Sequence, residues 1–315
     1  MTSNAQLAAL VQGEHTDAVI ALEQSVGDQA AGDADEQFAS LSKRIVAAWV
    51  AAFGSVEAIA VDVSVLRRIL AAVRAAVRRL LGPLPARAQR ALDDSLVGAV
   101  LLGARQHAAF ASAARGRRTS GVPTHPDRRL RTAASGVDGI VARSLDRALG
   151  LLRPQRARRW TDVVTGIGAA RSALSSVRAH IAWVVNQAVN YGLNAGIQAI
   201  GARKLWIAEA TACVNCAAYA GLVVDVGQDF PDGLSFDPNQ RGRVPAVDLP
   251  PQHPHCRCRC VPWRDEWAVP GVMPLPDYLQ RQARRHVAGG SRLPTESRAA
   301  RIRAARALRR PAPTG

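Results

Sequence analysis

The sequence predicts a mainly α protein: long helices and a helical hairpin, followed by a small α+β module stapled by a zinc-type Cys/His cluster. Three observations carry this expectation. Apolar residues recur in steps of three and four over residues 56–80 and again over 160–188, the period of a helix with one buried face. After Gly201 that period gives way to strand-like alternation. All five cysteines, Cys213, Cys216, Cys256, Cys258 and Cys260, fall in one stretch with His253 and His255.

Composition narrows the classes further. Hydrophobic residues make up 48% of the 315-residue chain but aromatics only 4%, so the core must rest on Ala, Val, Leu and Ile. Lys and Arg number 41 against 25 Asp and Glu, a net charge of +16. Such an excess suits a polyanionic partner, nucleic acid first and an acidic protein surface second. It is also an ordinary composition for an Arg- and Ala-rich chain from a GC-rich genome. An odd, clustered set of cysteines argues against a secreted disulfide framework. The opening MTSNAQLAAL has no basic n-region and no long apolar run, so no signal peptide is expected. Residues 95–104 are too few to span a bilayer, and 180–202 are interrupted by Asn186, Gln187, Asn190, Asn194 and Gln198.

Taken in order, residues 1–36 hold Glu14, Asp17, Glu23, Asp28, Asp33, Asp35 and Glu36 without Lys or Arg, and read as a loosely ordered acidic arm. A helical domain over 37–153 follows. Phe38, Leu41, Ile45 and Trp49 mark its first helix; Gly54 ends it, and Ser55 is placed to cap the next. That next helix carries the seam Val56, Ile59, Val63, Leu66, Leu70, Val73, Val77, Leu80, with Arg67, Arg74 and Arg78 off it. Gly82-Pro83 stops it. A helix over 85–115 returns with Leu92, Leu96, Ala99 and Leu102 on one face, which implies an antiparallel hairpin. Residues 115–131 form a basic loop in which Arg117 and Arg118 could contact phosphate or simply be solvated. A further helix over 135–152 ends at Pro154.

A second domain over 154–264 opens with a helix of about 70 Å if unbroken; Gly166, Gly168, Gly192 and Gly196 predict a kink or break. Asn186, Asn190, Asn194 and Gln198 make a polar stripe on it, either a solvated side or a hydrogen-bonding contact face. A strand from Lys204 through Trp206 leads to Cys213-Val-Asn-Cys216, a helical turn over 217–221, a strand over 222–226, a Gly/Pro-rich loop over 227–251 and a strand over 256–263. Residues 265–315 form a basic tail; within it Arg298, Arg301, Arg303, Arg306, Arg309 and Arg310 are candidate nucleic-acid contacts.

The CxxC turn aims two thiolates at one point, and a tetrahedral ion needs two more donors from elsewhere. The simplest completion is Cys213, Cys216, His253 and Cys256, with Cys258 as substitute for the last, and structural zinc as the cofactor. Reduced, buried cysteines without metal are the alternative.

These residues also carry a resemblance. The Trp206 strand, Cys213-x-x-Cys216, the turn at Gly221, Phe230-Pro231 and Pro250-Pro251-x-His253-Pro254-x-Cys256-Arg257-Cys258 resemble the C-terminal domain of tailed-phage minor head proteins, the phage Mu F-like head morphogenesis family. His255 and the additional Cys260 depart from that pattern. The resemblance implies a non-enzymatic virion protein of the head interior or neck, present in the host cytoplasm during assembly. Its implied partners are the portal protein, other head or neck proteins and packaged double-stranded DNA, with a possible oligomer around the portal and no membrane. Two other classes compete: a zinc-supported, nuclease-like enzyme acting on DNA, and a DNA-binding regulator. The sequence lacks a His-Asn-His constellation for the first and a recognisable helix-turn-helix for the second.

Overall fold

Ser3 opens the chain with a reciprocal capping box to Gln6, starting α1 (Asn4–Ala9). The structure, a computed structural model, describes residues 2–122, 124–290 and 296–309. A π-helical turn (Leu10–His15) joins α1 to α2 (Thr16–Ala31); there the Thr16 hydroxyl donates to the Val11 carbonyl five residues back at 3.0 Å. Then come α3 (Ala34–Phe53), α4 (Val63–Leu81), α5 (Leu84–Arg115), α6 (Arg128–Ala134), α7 (Val137–Leu151) and the 40-residue α8 (Trp160–Ala199). Strand β1 (Arg203–Ile207), helix α9 (Val214–Tyr219), strand β2 (Val223–Val224) and strand β3 (Arg259–Trp263) form the α+β part, followed by α10 (Leu275–Ala288) and α11 (Arg298–Arg309). The protein is thus mainly helical with one small antiparallel sheet. Among the described residues no helix is long and apolar enough to cross a membrane.

Residues group into two compact units, neither continuous in sequence. One holds 23–95 and 128–184; the other holds 1–22, 96–127 and 185–315. The sequence divides the chain at 36, 153 and 264 instead, because composition changes along the chain whereas packing is set by which helix faces meet.

In the first unit α4 shows how the apolar seam is used. Leu66, Leu70, Val73, Val77 and Leu81 are buried, with α3 packed alongside. The helix starts later than the seam suggests: Asp62, not Ser55, caps it, accepting from the backbone N–H groups of Ser64 and Val65. Ile59 and Val63 are consequently exposed. Asp35 accepts from Arg171 and Arg178, at 3.0 and 2.9 Å.

The acidic arm expected over 1–36 is helical rather than loose. Glu14, Asp17, Asp28, Asp33 and Glu36 are exposed although Glu23 is buried, while Leu7, Ala8 and Val11 pack against Phe110, Val261 and Trp263. Acid content suggested an arm; the Ala, Leu and Val spacing decided the fold.

In the second unit α5 and α8 approach at backbone contact. A Cβ on Gly103 would lie 1.9 Å from the Val189 carbonyl oxygen, and one on Gly192 would lie 2.0 Å from that of Val100. The glycines of α8 therefore serve close packing rather than a break, and the helix is continuous. The sheet has the order β2-β1-β3, with Trp206 opposite Cys260 and Leu205 opposite both Val223 and Val261. Alternation along β1 separates two apolar clusters. Trp206 and Cys260 join one; Leu205, Ile207, Val261 and Trp263 join the other.

The basic tail is largely folded too. Leu275, Leu279 and Val287 of α10 and Ala300 and Ala304 of α11 are buried in these clusters.

Candidate metal centre

Cys213 sits at the N-cap of α9, where its sulfur accepts from the Cys216 N–H. One helical turn later Cys216 points at the same place, so the CxxC spacing alone pairs them. The remaining donors arrive from residues 252–258, a bend with the exposed His255 at φ 66°; the strand expected from 256 begins only at Arg259. This bend is what a straight strand lacks. Alternate residues on a strand stand ~6.6 Å apart, yet Cys256 and Cys258 both reach Cys216 here.

Two groups of ligand atoms result, each mutually within 4.8 Å: Cys213, Cys216 and His253, and Cys216, Cys256 and Cys258. The His253 Nε2 lies 3.2 Å from the sulfurs of both Cys213 and Cys216. The sulfurs of Cys216 and Cys256 are 3.5 Å apart. A tetrahedral zinc would set sulfur–sulfur edges near ~3.8 Å and sulfur–nitrogen edges near ~3.6 Å; the three contacts above are a few tenths of an ångström shorter. Among the described residues no four donors lie mutually within 4.8 Å, so a four-ligand site needs the two groups to close on each other. Cys216, Cys256 and Cys258 are buried and His253 half-buried. The His253 Nδ1 is 2.7 Å from the Pro254 carbonyl oxygen, which holds a proton there and leaves Nε2 free to ligate. The group can hold a metal ion.

Electrostatics agree with shared protons among crowded thiols. The Cys216 thiol hydrogen-bonds to Cys213 and holds it well below the usual thiol range. The same Cys213 contact, with burial, holds Cys216 well above it. The hydrogen bond to Cys213 raises His253 to about 9. Four sulfurs at this spacing cannot all ionise by themselves; a divalent cation lets them do so. Cys260 is different in kind: it is fully buried on the Trp206 side of the sheet, and burial, against the opposing charge of Lys204, pushes its thiol up.

Part of the polar stripe of α8 is a contact face: Asn186, Asn190 and Asn194 are buried, whereas Gln198 is exposed. The Asn190 side chain donates to the Cys258 carbonyl at 3.1 Å and accepts from the Cys260 N–H at 3.0 Å. Asn186 accepts from the buried Arg259 guanidinium at 2.6 Å. The stripe clamps the backbone between the metal-facing Cys258 and the core-facing Cys260. Its spacing of four was readable; that its three asparagines are buried was not. Around the centre, Trp206 packs 5.0 Å from the rings of Tyr219 and Phe230. Gly221 adopts φ 81°, and a Cβ there would lie 2.2 Å from the Pro276 carbonyl oxygen of α10.

Among characterised families, curated proteins and solved structures, none matches this chain.

The proposed nucleic-acid arginines separate into two kinds. Arg117, Arg118, Arg298 and Arg306 are exposed. Arg301 is not: it is 2% exposed, donates to the Ala212 carbonyl and lies 3.6 Å from Glu296, whose carboxylate accepts from the Val214 N–H of α9. Arg303 grips the buried Asp237 with two hydrogen bonds of 2.8 and 2.6 Å. Arg309 donates to the Ala288 carbonyl. These three hold α11 in place, Arg301 from inside and Arg303 and Arg309 from half-buried and exposed positions. Arg310 lies outside the described residues.

Proposed function

We propose that the chain is a structural, non-enzymatic minor head protein of a tailed phage, with one zinc ion stapling its α+β module. The observation that carries the reading is the convergence of the signature residues. Cys213, Cys216, His253, Cys256 and Cys258 come together in two donor groups that share Cys216, while Trp206 and Gly221 build the wall beside them. The module is loop-rich, with a two-residue strand at one edge of its sheet, and such a module gains much from a metal staple. Zinc would be held by Cys213, Cys216, His253 and Cys256 or Cys258. A catalytic role asks for an open coordination position with a base beside it. Here three donors are buried, and no carboxylate belongs to either donor group among the described residues.

In the phage reading the protein works beside the portal and the packaged DNA, aiding assembly or genome delivery. The test is quantitative mass spectrometry of density-purified particles from the strain that carries the gene, with elemental analysis of the recombinant protein. The expected result is a few copies per particle, enriched with the portal, and one zinc per chain. Particles that lack the chain at every assembly stage would sink the virion reading. A metal-free, fully folded protein would sink the staple.

A further inference from the structure

We infer that the outward face of α4 is a docking surface for the backbone of double-stranded DNA. With 3.6 residues per turn, Arg67, Arg68, Arg78, Arg79 and the three alanines between them, Ala71, Ala72 and Ala75, lie within an arc of about 140°. All seven are exposed, and the opposite arc carries the buried Leu66, Leu70, Val73 and Val77. The helix contains no acidic residue. None of the four arginines is ion-paired among the described residues. Solvated helix faces ordinarily mix signs and use pairs four apart; here Arg74 and Arg78, at that spacing, repel.

The geometry suits a polyphosphate. Two arginine pairs at the ends of the face stand ~16 Å apart, and the alanine strip between them lets the helix backbone come close. Duplex DNA carries about one charge per 1.7 Å of its axis, so several phosphates fall within reach. A second segment of the same unit adds to the charge. The Ala60 N–H donates to the Arg158 carbonyl at 2.9 Å, which ties residues 153–159 to the lead-in of α4. Arg153, Arg156, Arg158 and Arg159 are exposed there. Against them stand Glu57, Asp62 and Asp162. The surface differs from the loop and tail arginines that the sequence suggested, several of which are engaged in holding α11. The choice of duplex DNA as the polyanion rests on the virion reading; the existence of a cationic surface that docks anions does not.

The test uses the full-length, zinc-loaded protein and a fluorescent 30-base-pair duplex of random sequence, with affinity read by anisotropy across a range of KCl. Each lost phosphate contact lowers the slope of log K against log salt by about 0.9. R67A/R68A/R78A/R79A should reduce that slope by about 3 and weaken binding at least 10-fold at moderate salt, with unchanged circular dichroism. Lysine at the same four positions should restore most of both. An unchanged slope in the alanine variant would overturn the inference. So would tighter binding, through the same arginines, to phosphatidylserine vesicles or to duplex RNA. A protein that fails this test yet is found in phage heads leaves the virion reading standing.

Discussion

Asn190 offers the sharpest test of how the fold builds the metal centre. Its side chain is fully buried and satisfies two backbone groups, the Cys258 carbonyl and the Cys260 N–H. Asn190→Ala leaves the Cys260 N–H buried without its partner and the Cys258 carbonyl with only the longer 3.3 Å contact from the Arg259 guanidinium. One orphaned buried group costs ~1–3 kcal/mol, so the expected loss of stability is ~1–3 kcal/mol. One of the two groups belongs to a donor residue. With its carbonyl held only by Arg259, the 256–258 segment is ordered in larger part by the metal, which weakens binding by about 10-fold. Zinc competition against a chromophoric chelator at neutral pH measures the affinity, and urea unfolding of the zinc-loaded protein measures the stability. If the unfolding midpoint drops while zinc affinity stays within twofold, Asn190 supports only the core, and the argument that α8 positions the donors fails.

Further outcomes follow from individual contacts. Burial lowers His107 to about 4, and neither ring nitrogen has a hydrogen-bond partner. Its neutral form is the one that folds, so its stability contribution is complete above pH 6.5 and is lost as pH falls toward 4, by up to ~3 kcal/mol. His107→Leu should flatten that part of the urea midpoint against pH; a parallel curve would contradict it. Cys260→Ala should retain one zinc per chain by elemental analysis at a stability cost of ~1 kcal/mol, whereas Cys213→Ala should lose tight binding. Arg303→Ala strands the buried Asp237 carboxylate and should cost about 2–3 kcal/mol, the low end for such a pair because Arg303 is 38% exposed. Arg298→Ala and Arg306→Ala should stay within about 0.5 kcal/mol in the same denaturation assay.

Helix positions were the most legible part. The stop at Gly82-Pro83 and the end of α5 at Arg115 follow from punctuation and period, which are local. The CxxC donors and His253 were legible for the same reason, since ligand spacing is a property of a few adjacent residues. The errors share one cause. An acidic arm, a kinked helix and a free basic tail were inferred from composition, and composition does not say which face of a helix is covered. Gly192 reads as a helix breaker until Val100 is brought against it. Arg301 and Arg303 read as free charge until Glu296 and Asp237 meet them.

The sequence by itself determined the helical periods, the change of pattern after Gly201, and the residue types able to take a metal. Tertiary structure alone decided which donors meet. The bend at residues 252–258 brings both Cys256 and Cys258 to Cys216, and Asn190, far away in sequence, fixes where that bend ends and Cys260 turns into the core. A hydrogen bond across such a separation leaves no periodic trace in the chain, because its two ends are matched only by packing.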